Sequence, residues 1–220
     1  MFGAGGLASA ALYYLACAGV GTIGIADGDR IELSNLNRQI LHNPRRIGMP
    51  KALSAQDTLT SFSPETQIVT FPRRVESVRE MVEMVRQFDA VIDCTDNFKT
   101  RDMINESCIL ALKPWVYGAV SGFEGQIMTI IPGRGPCYRC LYPTLPQPSG
   151  NSSAPGVIGV SPGIVGILQA AEIVKHILGK GSLLVGRLLY ADLLEMDFSA
   201  LLVSMNPCCR YCGGDMSLEG

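Results

Sequence analysis

The sequence predicts an α/β fold, a Rossmann-like and mostly parallel sheet flanked by helices, with antiparallel strands added towards the C-terminus. Three observations predict it. Over residues 3–27 a glycine-rich turn, a helical stretch and a short apolar strand ending in an acid follow one another, as at the start of a dinucleotide-type βαβ unit. Strand-like and helical runs then alternate to about residue 120, the pattern of parallel strands joined by crossover helices. Beyond that point, strands separated by turn residues replace the alternation.

Taken in order, residues 7–18 (LASAALYYLACA) read as a helix and Thr22–Asp27 as a short buried strand. Helices are expected over Lys51–Thr60, Val75–Gln87 and Thr100–Leu112, alternating with strands at Gln67–Phe71, Ala90–Cys94 and Trp115–Val120. Gly125–Ile131, Arg187–Ala191 and Met196–Val203 form the antiparallel portion, interrupted by a helix from Gly163 to Leu178. Pro143–Pro155 is rich in Pro, Ser and Gly with no apolar period, so it reads as a loop, either a plain linker or a lid or partner contact. There is no internal repeat. A dinucleotide fold places an apolar strand before its glycine loop, and only Met1 and Phe2 precede Gly3, so the first strand is expected to be missing or truncated.

At 220 residues the chain is expected to be one domain, with a nucleotide-binding half at about 1–120 and a second half at about 121–220. Its 18 basic and 20 acidic residues leave a charge of -2, which argues against nucleic acid as a partner. The first 26 residues are uncharged, yet no basic segment precedes them and six glycines interrupt them, so a signal peptide is not expected. The apolar stretch Gly156–Leu178 contains Pro162, Gln169, Glu172 and Lys175, and reads as a buried or interface helix with no membrane span.

Four of the eight cysteines fall as Cys137-x-x-Cys140 and Cys209-x-x-Cys212, the spacing at which paired thiolates hold one metal ion. A thioredoxin-type redox pair is the rival reading; two pairs at the ends of a strand-rich segment favour zinc. Without histidine in either pair the site is expected to be a closed, structural one of four thiolates. That chemistry suits a reducing, cytoplasmic setting. Cys208 reads as a bystander, and Cys17, Cys94 and Cys108 as small apolar residues.

Gly3-Ala-Gly5-Gly6-Leu-Ala8 satisfies G-x-G-x-x-[GA], which lets a phosphate approach backbone N–H groups at a helix N-terminus. Asp27, 22 residues after Gly5, stands where an acid takes a ribose hydroxyl. These residues indicate a nucleotide without saying which one, and taken alone they also suit an NAD-linked oxidoreductase.

The next blocks are more specific. Ser34-Asn-Leu-Asn-Arg-Gln39, then Gly48-Met-Pro-Lys51, then Asp93-Cys-Thr-Asp96-Asn97 and the double Cys-x-x-Cys occur in one order. In these blocks the chain resembles the ThiF/MoeB/HesA family of adenylating enzymes, relatives of the ubiquitin-activating enzymes, from about residue 3 to 214. The resemblance implies an ATP-dependent adenylyltransferase that joins AMP to the C-terminal Gly-Gly carboxylate of a ubiquitin-like sulfur-carrier protein of the ThiS or MoaD type, releasing pyrophosphate. It further implies a homodimer, and a C-terminal half that binds the carrier. By motif match Lys51 would reach the α-phosphate, Arg38 and Asn35 the outer phosphates, and Asp96, beside Asn97, a Mg²⁺ ion. A carboxylate with a pKa of about 3.5 is already ionised at neutral pH, so no general base is needed. None is obvious, because His42 and His176 are the only histidines.

Two departures from the family pattern stand out. Where many members carry a cysteine shortly before the segment Gly156-Val-Ile-Gly-Val-Ser-Pro-Gly163, this chain has Ser152, a far weaker nucleophile than a thiolate. Activation by adenylation without covalent relay is therefore expected. The resemblance also implies an upstream strand and an arginine supplied to the partner subunit's site, neither of which stands before Gly3 here, so a catalytically incomplete binding subunit is the alternative expectation.

Overall fold

The computed structural model describes residues 1–144 and 156–213. In chain order the elements are α1 (Gly6–Cys17), β1 (Thr22–Ala26), α2 (Lys51–Phe62), β2 (Gln67–Phe71), α3 (Val78–Val85), β3 (Val91–Ile92) and α4 (Phe98–Leu110). There follow β4 (Trp115–Ser121), β5 (Glu124–Ile130), the single turn α5 (Tyr138–Leu141), α6 (Val160–Leu178), β6 (Arg187–Asp192) and β7 (Asp197–Leu202). The long linker after β1 carries two 3₁₀ turns, Leu33–Asn35 and Pro44–Arg46.

Every expected strand and helix is present, and the shifted boundaries have local causes. Helix α3 starts at Val78 because Ser77 caps it, its Oγ accepting the Glu80 N–H at 3.3 Å. The strand expected over Ala90–Cys94 shrinks to Val91–Ile92, and Asp93 then turns the chain by accepting from the Thr95 N–H at 2.9 Å. Helix α6 gains a turn at its start, where Pro162 is tolerated because the first N–H groups of a helix have no internal partner. It ends at Gly179, which adopts the left-handed conformation that favours glycine (φ +60°).

Strands β1 and β2 pair in parallel, as do β3 and β4; β4 to β7 form an antiparallel succession. Phe2 bridges the two groups, pairing in parallel with Ala26 on one side and Asp93 on the other. The short segment Met1–Phe2 thus stands where the dinucleotide fold places its first strand. The spatial order is β2, β1, Phe2, β3, β4, β5, β6, β7.

Helices cover both faces of this sheet. On one face α1, α2 and α6 pack on Ile23, Ile25, Ile68, Ile92, Val116 and Ile127. On the other, α3, α4 and α5 enclose Val91, Trp115, Tyr117, Met128 and Ile130. Close approach of α1 and α6 depends on Gly166, where a Cβ would stand 2.0 Å from the Leu7 carbonyl oxygen. The polar residues that kept the apolar stretch from reading as a membrane span are used internally. Gln169 donates to the carbonyls of Asp93 (2.6 Å) and Val116 (3.2 Å), and Glu172 accepts from Thr129 Oγ1 and from the Leu184 N–H. Among the described residues no helix is long and apolar enough to cross a membrane.

Candidate active site

The C-terminal ends of β1, Phe2 and β3 open into a cleft of about 1240 Å³, where ligands of open α/β sheets bind. Its inner wall is the glycine turn. Gly3 has φ +96°, and a Cβ there would sit 2.5 Å from the Cys94 carbonyl oxygen, so no larger residue fits between the two strand ends. The turn is held from two directions. Asp27 Oδ2 accepts the Ala4 N–H at 2.7 Å, while its Oδ1 accepts the Asp29 N–H at 2.7 Å. From below, buried His42 donates from Nε2 to the Ala4 carbonyl at 2.9 Å, and so its Nδ1, 3.0 Å from Ser54 Oγ, must accept. Arg46 in turn donates to Ser54, fixing that hydroxyl as the donor to histidine. Burial pushes the His42 pKa down, and the carbonyl it serves only partly offsets this. Burial also raises the Asp27 carboxyl, against its two N–H donors. Each Asp27 oxygen keeps a lone pair free for a ribose hydroxyl.

Gly3, Gly5, Gly6, Asp27, Arg38, Lys51, Asp96 and Asn97 all line this one cleft, whereas Asn35 does not. Asn35 instead closes the 3₁₀ turn through its carbonyl, which accepts from the Arg38 and Gln39 N–H groups. Arg38 lies along the same loop, donating to the Ser34 carbonyl (3.1 Å) and to Asn37 Oδ1 (2.9 Å). Helix α6 presses on that loop from behind, because Gly159 would place a Cβ 2.3 Å from the Asn37 carbonyl oxygen. Lys51 is the first residue of α2, its ammonium mostly buried and 3.4 Å from Asp29 Oδ2. Asp29 also receives Arg74 at 3.0 Å. Burial would raise the Asp29 carboxyl; the Arg74 hydrogen bond and the Lys51 charge outweigh it and hold the group below its ordinary value.

Asp96 and Asn97 immediately precede α4. Asn97 caps the helix, its Oδ1 accepting the Thr100 N–H at 2.9 Å, and Asp96 is exposed to the cleft. Beneath them Arg101 is buried, paired with Asp93 at 3.2 Å, bonded to the Thr95 carbonyl at 2.7 Å and set between the rings of Phe98 and Tyr117. This cluster fixes the turn that presents Asp96. Sequence reasoning missed it, along with Arg74, Gln126 and Tyr142, because each reaches the cleft from a distant part of the chain. Only the spacing of Arg101, four residues after the helix cap Asn97, hinted that it faces the strand-end acids.

The four expected zinc ligands, Cys137, Cys140, Cys209 and Cys212, converge with their sulfurs all within 4.8 Å of one another. Four thiolates at about 2.3 Å from a central zinc would lie roughly 3.8 Å apart, and the Cys137–Cys209 and Cys140–Cys212 pairs stand at 3.6 and 3.3 Å. Burial pushes Cys137 up to about 11, whereas for Cys209 the N–H groups of Tyr211 and Cys212 overcome burial and bring it down to about 7. A divalent cation among these four sulfurs would compensate their negative charge as thiolates. Cys208 is exposed next to the cluster, and Cys94 and Cys108 are buried, in keeping with the sequence reading; Cys17 is exposed. Ser152 lies outside the described residues.

Comparison with known proteins supports the same architecture. The chain is 44% identical to the sulfur carrier protein adenylyltransferase of Thermus thermophilus over 97% of its own length and 81% of that protein. It is 42% identical to the SAMP-activating enzyme E1 of Haloferax volcanii, over 96% of this chain and 78% of the relative. It also matches the maize adenylyltransferase and sulfurtransferase MOCS3-1 at 42%, where it spans 46% of that protein. Among solved structures, Escherichia coli MccB with ATP superimposes with a TM-score of 0.85 at 21% identity, over 96% of this chain and 65% of that one, a likeness of fold. The ThiF family model matches residues 1–211, and the chain belongs to the ThiF family.

Proposed function

We propose that this protein is an ATP-dependent adenylyltransferase that activates the C-terminal Gly-Gly carboxylate of a ubiquitin-like sulfur-carrier protein of the ThiS or MoaD type. The observation that carries this reading is the convergence of Lys51, Arg38 and Asp96 on one cleft with the glycine turn and Asp27. At about 1240 Å³ the cleft exceeds the roughly 300–1,000 Å³ of common small-molecule sites, leaving room for a second reactant beside the nucleotide. The carrier carboxylate attacks the α-phosphorus, an acyl-adenylate forms, and pyrophosphate leaves. The demand on the protein is therefore electrostatic and positional. Lys51 leaves Asp29 for the α-phosphate and Arg38 serves the outer phosphates; the motif assigns Asn35 to them as well, from the loop beside the cleft. Arg38 suits them because its planar fork spans two oxygens. The exposed carboxylate of Asp96 fits a magnesium ion that keeps most of its waters, and such an ion would neutralise phosphate charge. The NAD-linked reading explains none of Arg38, Lys51, Asp96 or the cysteine cluster.

We further assign zinc to Cys137, Cys140, Cys209 and Cys212 as a structural clip. Residues 1–220 act as one unit, the half at about 1–120 binding nucleotide and the half at about 121–220 binding carrier and zinc. Among the described residues β7 is the edge strand of its sheet, and its exposed Phe198, Leu201 and Leu202 suit a protein partner. A homodimer formed through α6 is supported by its exposed Val160, Ile167, Ile177 and Leu178. The unpaired cysteines suit a reducing, cytoplasmic setting. Equilibrium binding of ATP-Mg²⁺ and of NAD tests the reading: ATP should bind and NAD should not, and tight NAD binding would overturn it.

A further inference from the structure

A Gly-Gly tail offers no side chains, so a site that distinguishes it must read its backbone carbonyls and N–H groups in a space too narrow for larger residues. Beyond Asp96 the cleft continues over Phe98, Tyr117, Ala119, Gln126 and Tyr142. Gln126 stands on β5 opposite Ala119, on the face shared by Glu124 at the cleft and Met128 in the core. Two phenols hold it: Tyr142 donates to its Oε1 at 2.7 Å and Tyr117 at 3.1 Å. Burial pushes the Tyr117 phenol far above its ordinary value, so it stays a donor at any working pH. An amide oxygen has two lone pairs, and these two hydroxyls occupy both. The Nε2 of Gln126 has no acceptor among the described residues, which leaves its two N–H groups for the cleft.

Resting on the adenylyltransferase reading, we propose that Gln126 is a specificity-determining residue that donates its side-chain amide to a backbone carbonyl of the carrier's Gly-Gly tail, with Tyr117 and Tyr142 as the residues that position it. The small Ala119 opposite leaves the strand surface open for an extended glycine backbone. Tyr142 follows Cys140 by two residues at the end of α5, so the four-cysteine lobe sets the height of one of the two supports. The Phe98 ring, 6.0 Å from that of Tyr142, links the same support to the N-terminus of α4, where Asp96 begins the phosphate end of the cleft.

The test uses the full chain and a ubiquitin-like carrier ending in Gly-Gly, with ATP–pyrophosphate exchange measured against carrier and against ATP. Gln126→Glu accepts from both tyrosines as glutamine does, yet has no N–H to donate and repels a carboxylate. It should lower kcat/KM for the carrier at least tenfold while the KM for ATP stays within twofold. Gln126→Met, which removes the donors without adding charge, should lose about fivefold to tenfold, in the range of one or two neutral hydrogen bonds. Tyr142→Phe should lose about two- to fivefold in the carrier term alone. If Gln126→Glu and Gln126→Met both stay within twofold of the unmodified protein, or if carrier and ATP terms fall together, Gln126 does not read the tail. Wild-type exchange in the same assays would keep the adenylyltransferase reading intact in that event. A wild-type protein that exchanges with no Gly-Gly carrier overturns both.

Discussion

Replacing Arg101 by methionine would remove one partner of a buried ion pair while keeping an unbranched stem between Phe98 and Tyr117. Asp93 is fully buried and its pair with Arg101 measures 3.2 Å. Removing one partner of such a pair costs about 3–5 kcal/mol, because the other charge is left without compensation. For a chain of this size that is a fall in Tm of roughly 6–20 °C. Burial already holds the Asp93 carboxyl above its ordinary value, with Arg101 and then Thr95 opposing it. Loss of Arg101 raises it further. An acid whose folded pKa lies above the unfolded one near 3.9 binds more protons when folded, so its contribution is favourable at low pH and lost as pH rises through the folded value. The deficit of Arg101→Met relative to the unmodified protein should therefore be larger at pH 8 than at pH 5, as read by urea denaturation at both. Adding Asp93→Asn should recover part of it at pH 8, since the two positions are coupled. A deficit below about 1 kcal/mol, or one unchanged between the two pH values, would refute the assignment of a charged, buried pair.

His42, whose pKa burial lowers, is neutral when folded and protonates in the unfolded chain first. Stability should thus be full above the unfolded value of about 6.5 and decline as pH falls below it, by at most about 1.4 kcal/mol per pH unit. His42→Gln should flatten that slope in thermal melts, and an unchanged slope would contradict the role. Cys209→Ser should abolish metal binding, read by elemental analysis, and lower Tm by at least about 4 °C, the equivalent of roughly 2 kcal/mol or more. Full zinc content in that variant would show the ligand set is wrong. Gly166→Ala forces a Cβ against the Leu7 carbonyl and should destabilise by about 1–3 kcal/mol by calorimetry. An unaltered Tm would mean that α1 and α6 can part freely.

Most of the fold was legible because its signals are local. Alternating runs of apolar strand and helix, Gly3 at a strand end and the doubled Cys-x-x-Cys each carry their meaning within a few residues. Strand β3 was overestimated because Asp93 reads as a strand end from sequence and acts as a turn through its bonds to Thr95. The residues proposed to meet phosphate stand out through motif blocks, and Arg38, Lys51 and Asp96 line the cleft, while the Asn35 carbonyl closes a turn in the loop beside it. The rest of the site was invisible for a common reason. Gln126 and Tyr142 meet across 16 residues, Asp93 and Gln169 across 76, and nothing in the spacing of either pair announces a contact. The sequence offers no obvious general base, which agrees with a His42 ring whose two nitrogens are spent on Ala4 and Ser54.

We propose that this cleft makes an acyl-adenylate by positioning charge and that Asp96 is indispensable to it. The most direct measurement is ATP–[³²P]pyrophosphate exchange with a Gly-Gly-ended ubiquitin-like carrier, run side by side on the unmodified protein and on Asp96→Ala. Exchange that requires the carrier and falls at least about 10²-fold in Asp96→Ala, with the Tm of the variant unchanged, is the predicted result. Exchange retained by Asp96→Ala, or none in the unmodified protein with any such carrier, would contradict the account.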